Sequence, residues 1–177
     1  EKIEEENYFF KLSVFTAKIK EVIENNSLQI VPASRKNEIL SLIKAGLEDI
    51  SISRPRNKIA WGIAVPGDTT QVMYVWFDAL VTYLTALGFG SSGKNYNKYW
   101  ADKSERLHVI GKGIIRFHAV YWPAMLASAD LPLPTDEFVH GYITVEGEKI
   151  SKTLGNVVDP FELVEKFGVE AARFYLL

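Results

Sequence analysis

Cysteine is missing from all 177 residues, which removes disulfides, thiolate metal ligands and a cysteine nucleophile together. Histidine is scarce: the three present, His108, His118 and His140, have neither the spacing of a metal site nor cysteine partners, so no metal ligands are expected in this chain. Nowhere does an apolar run approach the ~20 residues a membrane span needs. The opening, Glu1-Lys2-Ile3-Glu4-Glu5-Glu6, is acidic and polar, unlike a signal or transit peptide. Together these features point to a cytoplasmic protein with no membrane partner. Charge of one sign is also lacking. A net charge of −2 argues against a small module whose whole surface grips nucleic acid, so any RNA contact has to be local.

What is present is an ordinary globular composition, 47% hydrophobic and 24% charged, enough for one core. Residues 7–50 carry helical periodicity. Phe9, Leu12, Phe15, Ile19, Val22 and Ile23 make one apolar stripe. Asn25-Asn26-Ser27 breaks it, Val31-Pro32 marks an extended turn, and Ser34 is the expected N-cap of a second helix with Ile39, Leu42, Ile43 and Leu47 buried. No chemistry is visible in this front segment.

From about residue 50 the character becomes β-rich. Ile59 to Val65 and Val72 to Phe77 read as strands, and Asp78 as the N-cap of a helix to about Leu87. Leu107 to Ile110 reads as a strand that turns at Gly111-Lys112-Gly113 into a helix from Ile114 to about Ala129, kinked at Pro123. Phe138 to Val145 reads as a further strand with a tight turn at Glu146-Gly147. Asp159-Pro160 starts a helix that Gly168 ends, and another begins near Val169. Strands alternating with helices predict an α/β fold with a parallel sheet, of which only about half is present.

In open α/β sheets, ligands sit beyond the carboxyl ends of the strands. Three stretches meet there on this reading: Tyr74 to Ala79 with Tyr83 beyond it, His108 to Gly113 with Phe117 and His118, and Val139 to Tyr142 with Lys149-Ile150-Ser151-Lys152-Thr153. Two ammonium groups on a loop can neutralise charge growing on a departing pyrophosphate; solvated lysines on a turn are the commoner case. Gly111 and Gly113 allow close approach of a ribose or phosphate, and tight strand–helix packing would need glycine equally. Trp76, Tyr83, Phe117 and His118 can line an apolar pocket with a polar tip, although each aromatic singly is more often core.

Taken in order, Glu6 to Ser13, Asp49 to Arg54, Tyr74 to Leu80, His108 to Lys112, Arg116 to Ala124 and Lys149 to Thr153 resemble the methionyl-tRNA synthetases, class I aminoacyl-tRNA synthetases, over nearly the whole chain. The last of these looks like the family's K-M-S-K-S signature. The resemblance implies the C-terminal half of a Rossmann-like parallel sheet, preceded by a helical segment and followed by the start of a helical stem-contact region. Residues 1–50 would end the connective insertion, 51–158 would form the second half of the catalytic domain with its signature loop at 149–153, and 159–177 would begin the stem-contact region. It implies that Trp76, Tyr83, Phe117 and His118 surround methionine and that Gly111, His140, Gly141 and Lys152 contact ATP. Lys149 and Lys152 would be the catalytic loop lysines, with Arg54 near the nucleotide.

The implied activity is methionine–tRNA ligation, with ATP and its Mg2+ as substrate and tRNA as partner. The H-I-G-H signature of the first half is not in these residues, so the chain is expected to be inactive without the missing N-terminal half. Gly113 departs from the family, which usually has an acidic residue there. Other class I synthetases, for leucine, isoleucine or valine, and a non-catalytic binding or assembly module are the alternatives. The aromatic set favours methionine over branched aliphatics.

Overall fold

The computed structural model describes residues 5–91, 94–102 and 104–176, with the side chain of Leu176 excepted, so the acidic opening Glu1 to Glu4 lies outside the described residues. The chain divides into two compact units, residues 1–139 and 140–177.

In chain order, the first unit begins with β1 (Phe9–Phe10), a 3₁₀ turn (Leu12–Phe15), α1 (Thr16–Glu24), β2 (Gln29–Val31) and α2 (Ala33–Ala45). It continues through β3 (Ile50–Ser51), β4 (Ser53–Pro55), β5 (Ala64–Val65), β6 (Asp68–Met73), α3 (Val75–Thr85), α4 (Lys94–Tyr96) and a π-helical turn (Asn97–Ala101). Then come β7 (Leu107–Gly111), a 3₁₀ turn (Lys112–Ile114), a π-helical turn (Phe117–Tyr121), α5 (Trp122–Ser128) and β8 (Asp136–His140), whose last residue opens the second unit. The second unit adds β9 (Thr144–Val145), β10 (Glu148–Lys149), α6 (Pro160–Phe167) and α7 (Val169–Leu176).

The two helices expected at the front are present, and between them lies a strand the periodicity does not reveal. Asn26 takes a left-handed conformation at φ 60° and Asn25 Oδ1 accepts from the Ser27 amide at 2.8 Å, so the chain reverses and runs out as β2. β2 pairs in parallel with β8, Ile30 opposite Glu137, and β8 stands between β2 and β7. The parallel sheet is therefore built from β2, β8 and β7, whereas Val72 to Phe77 does not join it. β6 ends at Met73 and belongs to an antiparallel sheet of order β4-β6-β5.

Several expected boundaries move for local reasons. Pro32, not Ser34, caps α2, because the Arg35 amide already bonds to Pro32 O at 2.9 Å. α3 starts at Val75 with Tyr74 as its cap, because the amides of Phe77 and Asp78 turn back to Tyr74 O at 2.9 and 3.2 Å. Trp76 and Phe77 are thus helical, and Asp78 sits in the first turn, where its carboxylate complements the helix dipole. Pro123 lies inside a helical run that continues over residues 115–128, as expected, and the π-helical turn just before it, not a regular α-helix, is where that run departs from α geometry. The long strand expected to Val145 breaks after His140. The Glu146-Gly147 turn, both residues at positive φ, joins β9 to β10 as a hairpin. Asp159 caps α6 by accepting from the Phe161 amide at 2.8 Å, and Gly168 ends it at φ 81°, as the sequence predicts.

Two apolar packs fill the first unit. Ile19 and Ile23 of α1, Ile39 of α2, Ile30, Ile110 and Val139 of the sheet share one. Leu80 and Leu84 of α3 meet Trp100, Trp122, Met125 and Leu126 in the other. Gly62 lies against the antiparallel sheet so closely that a Cβ there would stand 2.7 Å from Val72 Cβ, and Val72 is buried. Gly62→Ala should therefore lower stability by about 1–3 kcal/mol through overpacking, read as a shift in the urea midpoint; an unchanged midpoint would show that Val72 yields freely.

Candidate functional site

The helix start at Val75 sets the site of the first unit, because it places Trp76 and Tyr83 two turns apart on α3, alongside the segment that carries Phe117 and His118. Trp76 stacks on Phe117 with ring centroids 4.1 Å apart and planes 19° from parallel. Tyr83 Oη lies 2.8 Å from His118 Nε2, and His118 Nδ1 lies 3.0 Å from Ile114 O. A carbonyl only accepts, so Nδ1 carries the proton, Nε2 accepts, and the Tyr83 hydroxyl donates. His118 is 2% exposed, and burial pushes its pKa down, so the neutral ring is the form that accepts. His118 sits in the π-helical turn, a geometry recurrent at functional sites. The four residues named from the sequence thus form two contacting pairs on adjoining elements. Trp76 and Phe117 are half-buried, and Tyr83 keeps an open edge toward a cleft of about 460 Å³ shared with His108, Tyr99, Trp100 and Arg106.

Gly111 closes β7 in an extended conformation (φ −75°) and leads into a three-residue 3₁₀ turn, so the amides on offer are those of a turn rather than of a long helix. Gly113 is exposed within that turn. Arg54 is committed nearer home: Nη1 donates to Ser51 Oγ at 2.7 Å and to Ser53 O at 2.6 Å, and the guanidinium lies 4.4 Å from the Tyr74 ring centroid.

In the second unit, His140 ends β8, exposed, with Nδ1 donating to Gly141 O at 2.7 Å; a side chain at Gly141 would meet nothing within 4 Å. Lys149 and Lys152 flank the turn after the β9–β10 hairpin. Asn156 braces that turn from both sides, accepting from the Ser151 amide at 2.9 Å and donating to Lys149 O at 3.1 Å. Lys149 Nζ sits 4.1 Å from the Tyr142 ring centroid, while Lys152 is exposed. The hairpin and the helix pair α6–α7 enclose an apolar cavity of about 640 Å³ lined by Ile143, Ile150, Leu163 and Phe167 among others. Among the described residues, no group of three or more His, Cys, Asp or Glu could hold a metal, and no helix is long and apolar enough to cross a membrane.

A family model described as tRNA synthetases class I (M) matches residues 1–177. The chain belongs to this family. Curated relatives of this class I synthetase chain include the methionine–tRNA ligases of Brucella suis, 53% identical over 99% of this chain and 33% of the relative, and of Rickettsia conorii, 49% identical over 99% and 34%. Among solved structures, Mycobacterium tuberculosis methionyl-tRNA synthetase bound by methionyl-adenylate is 46% identical at a TM-score of 0.88, over 98% of this chain and 33% of that one. The class I synthetase chain thus spans about a third of the length of the relatives it matches. The family and the α/β class expected from the sequence are borne out.

Sequence reasoning missed two contributors. Asn156 holds the lysine turn, and its only sequence signal is a side-chain amide one turn past Ser151. Glu137 is fully buried on β8, and its only signal is that it shares a strand face with the apolar Val139.

Proposed function

We propose that the chain is part of a methionine–tRNA ligase and supplies the second half of its catalytic domain, with α6 and α7 beginning the stem-contact region. The observation that carries this reading is identity near one half with methionine–tRNA ligases along 99% of the chain. The aromatic pairs support it. Trp76 and Phe117 offer π faces to a thioether, a contact worth ~0.3–1.5 kcal/mol per ring, and the Tyr83–His118 pair supplies a polar rim.

A methionine carboxylate oxygen attacks the α-phosphorus of ATP, and pyrophosphate leaves with the bond to the β-phosphate oxygen broken. A hydroxyl of the terminal adenosine of tRNA then attacks the acyl carbon, and AMP departs. Trp76, Tyr83, Phe117 and His118 orient the amino acid. Gly111 in the first unit, and His140 and Gly141 in the second, are the positions assigned to contact with the nucleoside. Lys149 and Lys152 stabilise the charge that develops on the phosphates. Magnesium arrives on the ATP phosphates as part of the substrate.

ATP–pyrophosphate exchange tests the reading. The full-length protein is expected to exchange in the presence of methionine and not of leucine, isoleucine or valine. The 177-residue chain alone is expected not to exchange, because the H-I-G-H signature lies outside it. Leucine-driven exchange would overturn the substrate, and exchange at an ordinary rate by the chain alone would overturn the division of the site.

A further inference from the structure

Behind the Tyr83–His118 pair lies a buried polar layer that the proposed reaction does not use. Glu137 is 0% exposed, and neither carboxylate oxygen has a hydrogen-bond partner among the described residues. His108 Nε2 and Trp122 Nε1 are likewise buried and unpartnered, with the two residues 7% and 1% exposed. Such groups in one place are costly unless they serve each other, directly or through an internal water.

The fold brings them together. Ile110 and Val139 lie in the same apolar pack, so by strand alternation His108 and Glu137 face that same side of neighbouring strands β7 and β8. The His108 ring centroid is 4.4 Å from Tyr83 and 5.6 Å from His118; Trp122 lies 6.1 Å from Tyr83. The titratable groups facing this layer are Tyr83 from α3, His108 from β7, His118 from the π-helical turn and Glu137 itself. β2, which places Ile30 opposite Glu137, brings none. Arg106 lines the cleft shared by Tyr83 and His108, but its guanidinium donates to Leu133 O and Trp100 O, and burial is the only cause that shifts Glu137.

We propose that Glu137 is a positioning residue for the Tyr83–His118 pair: its carboxyl, buried on the same sheet face as His108, sets which way the Tyr83 hydroxyl points and thereby the grip of the pocket on methionine. As the neutral acid, Glu137 leaves the Tyr83 O–H donating to His118 Nε2. As an anion it is the stronger acceptor, and it draws that proton, directly or across one water, away from His118. Burial alone holds the carboxyl protonated up to about 8. The Tyr83 phenol is raised first by its own burial and then by the Glu137 charge, which places the two within electrostatic reach. The two histidines are both lowered by burial, His108 to about 4, so neither changes charge in the window where Glu137 does.

The effect on methionine rests on the pocket assignment above; the effect on His118 does not. In the full-length protein, the KM for methionine in ATP–pyrophosphate exchange is expected to rise several-fold as pH passes about 8, and E137Q, which keeps a donor and an acceptor but cannot ionise, is expected to remove that rise. The substrate's own amino group titrates equally with both proteins and cancels in the ratio. Alongside, the ring-nitrogen NMR signals of isotope-labelled His118 should shift with the same midpoint in the wild type and stay still in E137Q. A KM rise that persists in E137Q, or His118 signals that ignore Glu137, overturns the proposal. If the wild type shows no methionine-dependent exchange, the pocket assignment fails instead, and the His118 signals alone decide whether Glu137 steers Tyr83.

Discussion

Replacing Lys152 with alanine in the full-length protein is expected to lower kcat for methionine-dependent ATP–pyrophosphate exchange by about 100- to 1,000-fold, the usual cost of removing one group that stabilises charge developing in a transition state. The KM for methionine should change little, because the aromatic pairs that would hold the amino acid lie on other elements. The structure distinguishes the two lysines of the signature turn. Lys149 Nζ is held 4.1 Å from the face of Tyr142, a cation–π contact worth about 0.5–1 kcal/mol at an exposed site. The Lys152 ammonium is exposed and makes no hydrogen bond, ion pair or ring contact among the described residues. A free ammonium on a braced turn can follow the phosphates as their charge shifts, while a tethered one anchors the turn. Lys149→Ala should accordingly cost less than Lys152→Ala, and Asn156→Ala should resemble a loosened turn, with kcat reduced and Lys152 still present. Equal rates for Lys152→Ala and the wild type in single-turnover adenylate formation would remove Lys152 from the mechanism.

The parts of this site differ in how openly the sequence announces them. α6 is legible to the residue because its ends are chemical signals: Asp159 accepts from an amide, Pro160 needs no donor at the first helical position, and Gly168 takes positive φ. Trp76 is misplaced by the same logic. Val72 to Phe77 is a run of β-branched and aromatic residues, and composition alone cannot show that the backbone leaves the ladder at Tyr74. β2 is hidden for a different reason. Three residues between two helices carry too few side chains for a period to register, and their strand character comes from β8, which is more than a hundred residues away in the chain. The candidate site divides likewise: the residue types of the proposed methionine pocket are visible one by one, but the pairing of Tyr83 with His118 joins residues 35 positions apart on two elements, which no pattern of apolar residues encodes.

Glu137 is the clearest case of tertiary structure overriding a residue's usual place, and it makes stability depend on pH in an unusual direction. Its carboxyl ionises near 4.5 when unfolded and near 8 when folded, with burial as the cause. Between those values the unfolded chain has lost a proton that the folded chain keeps, so rising pH favours unfolding by about 1.4 kcal/mol per pH unit. His108 works the other way. It ionises near 6.5 unfolded and near 4 folded, again through burial, so rising pH favours the folded state between those values by a similar slope. The two slopes oppose from about 4.5 to 6.5, and His118, whose pKa burial also lowers, adds to the rising side just below 6.5. Above 6.5 His108 is neutral in both states and only Glu137 remains, so stability is expected to fall by about 2 kcal/mol up to pH 8 and then level off. E137Q should abolish that fall, and its advantage over the wild type should widen steadily from about pH 4.5 to 8, reaching a few kcal/mol. Thermal unfolding in a series of buffers measures the gap directly. A gap that stays constant with pH would mean that Glu137 ionises in the folded chain as it does in water, and the buried layer behind Tyr83 would then have to contain a counter-charge that its neighbours do not supply.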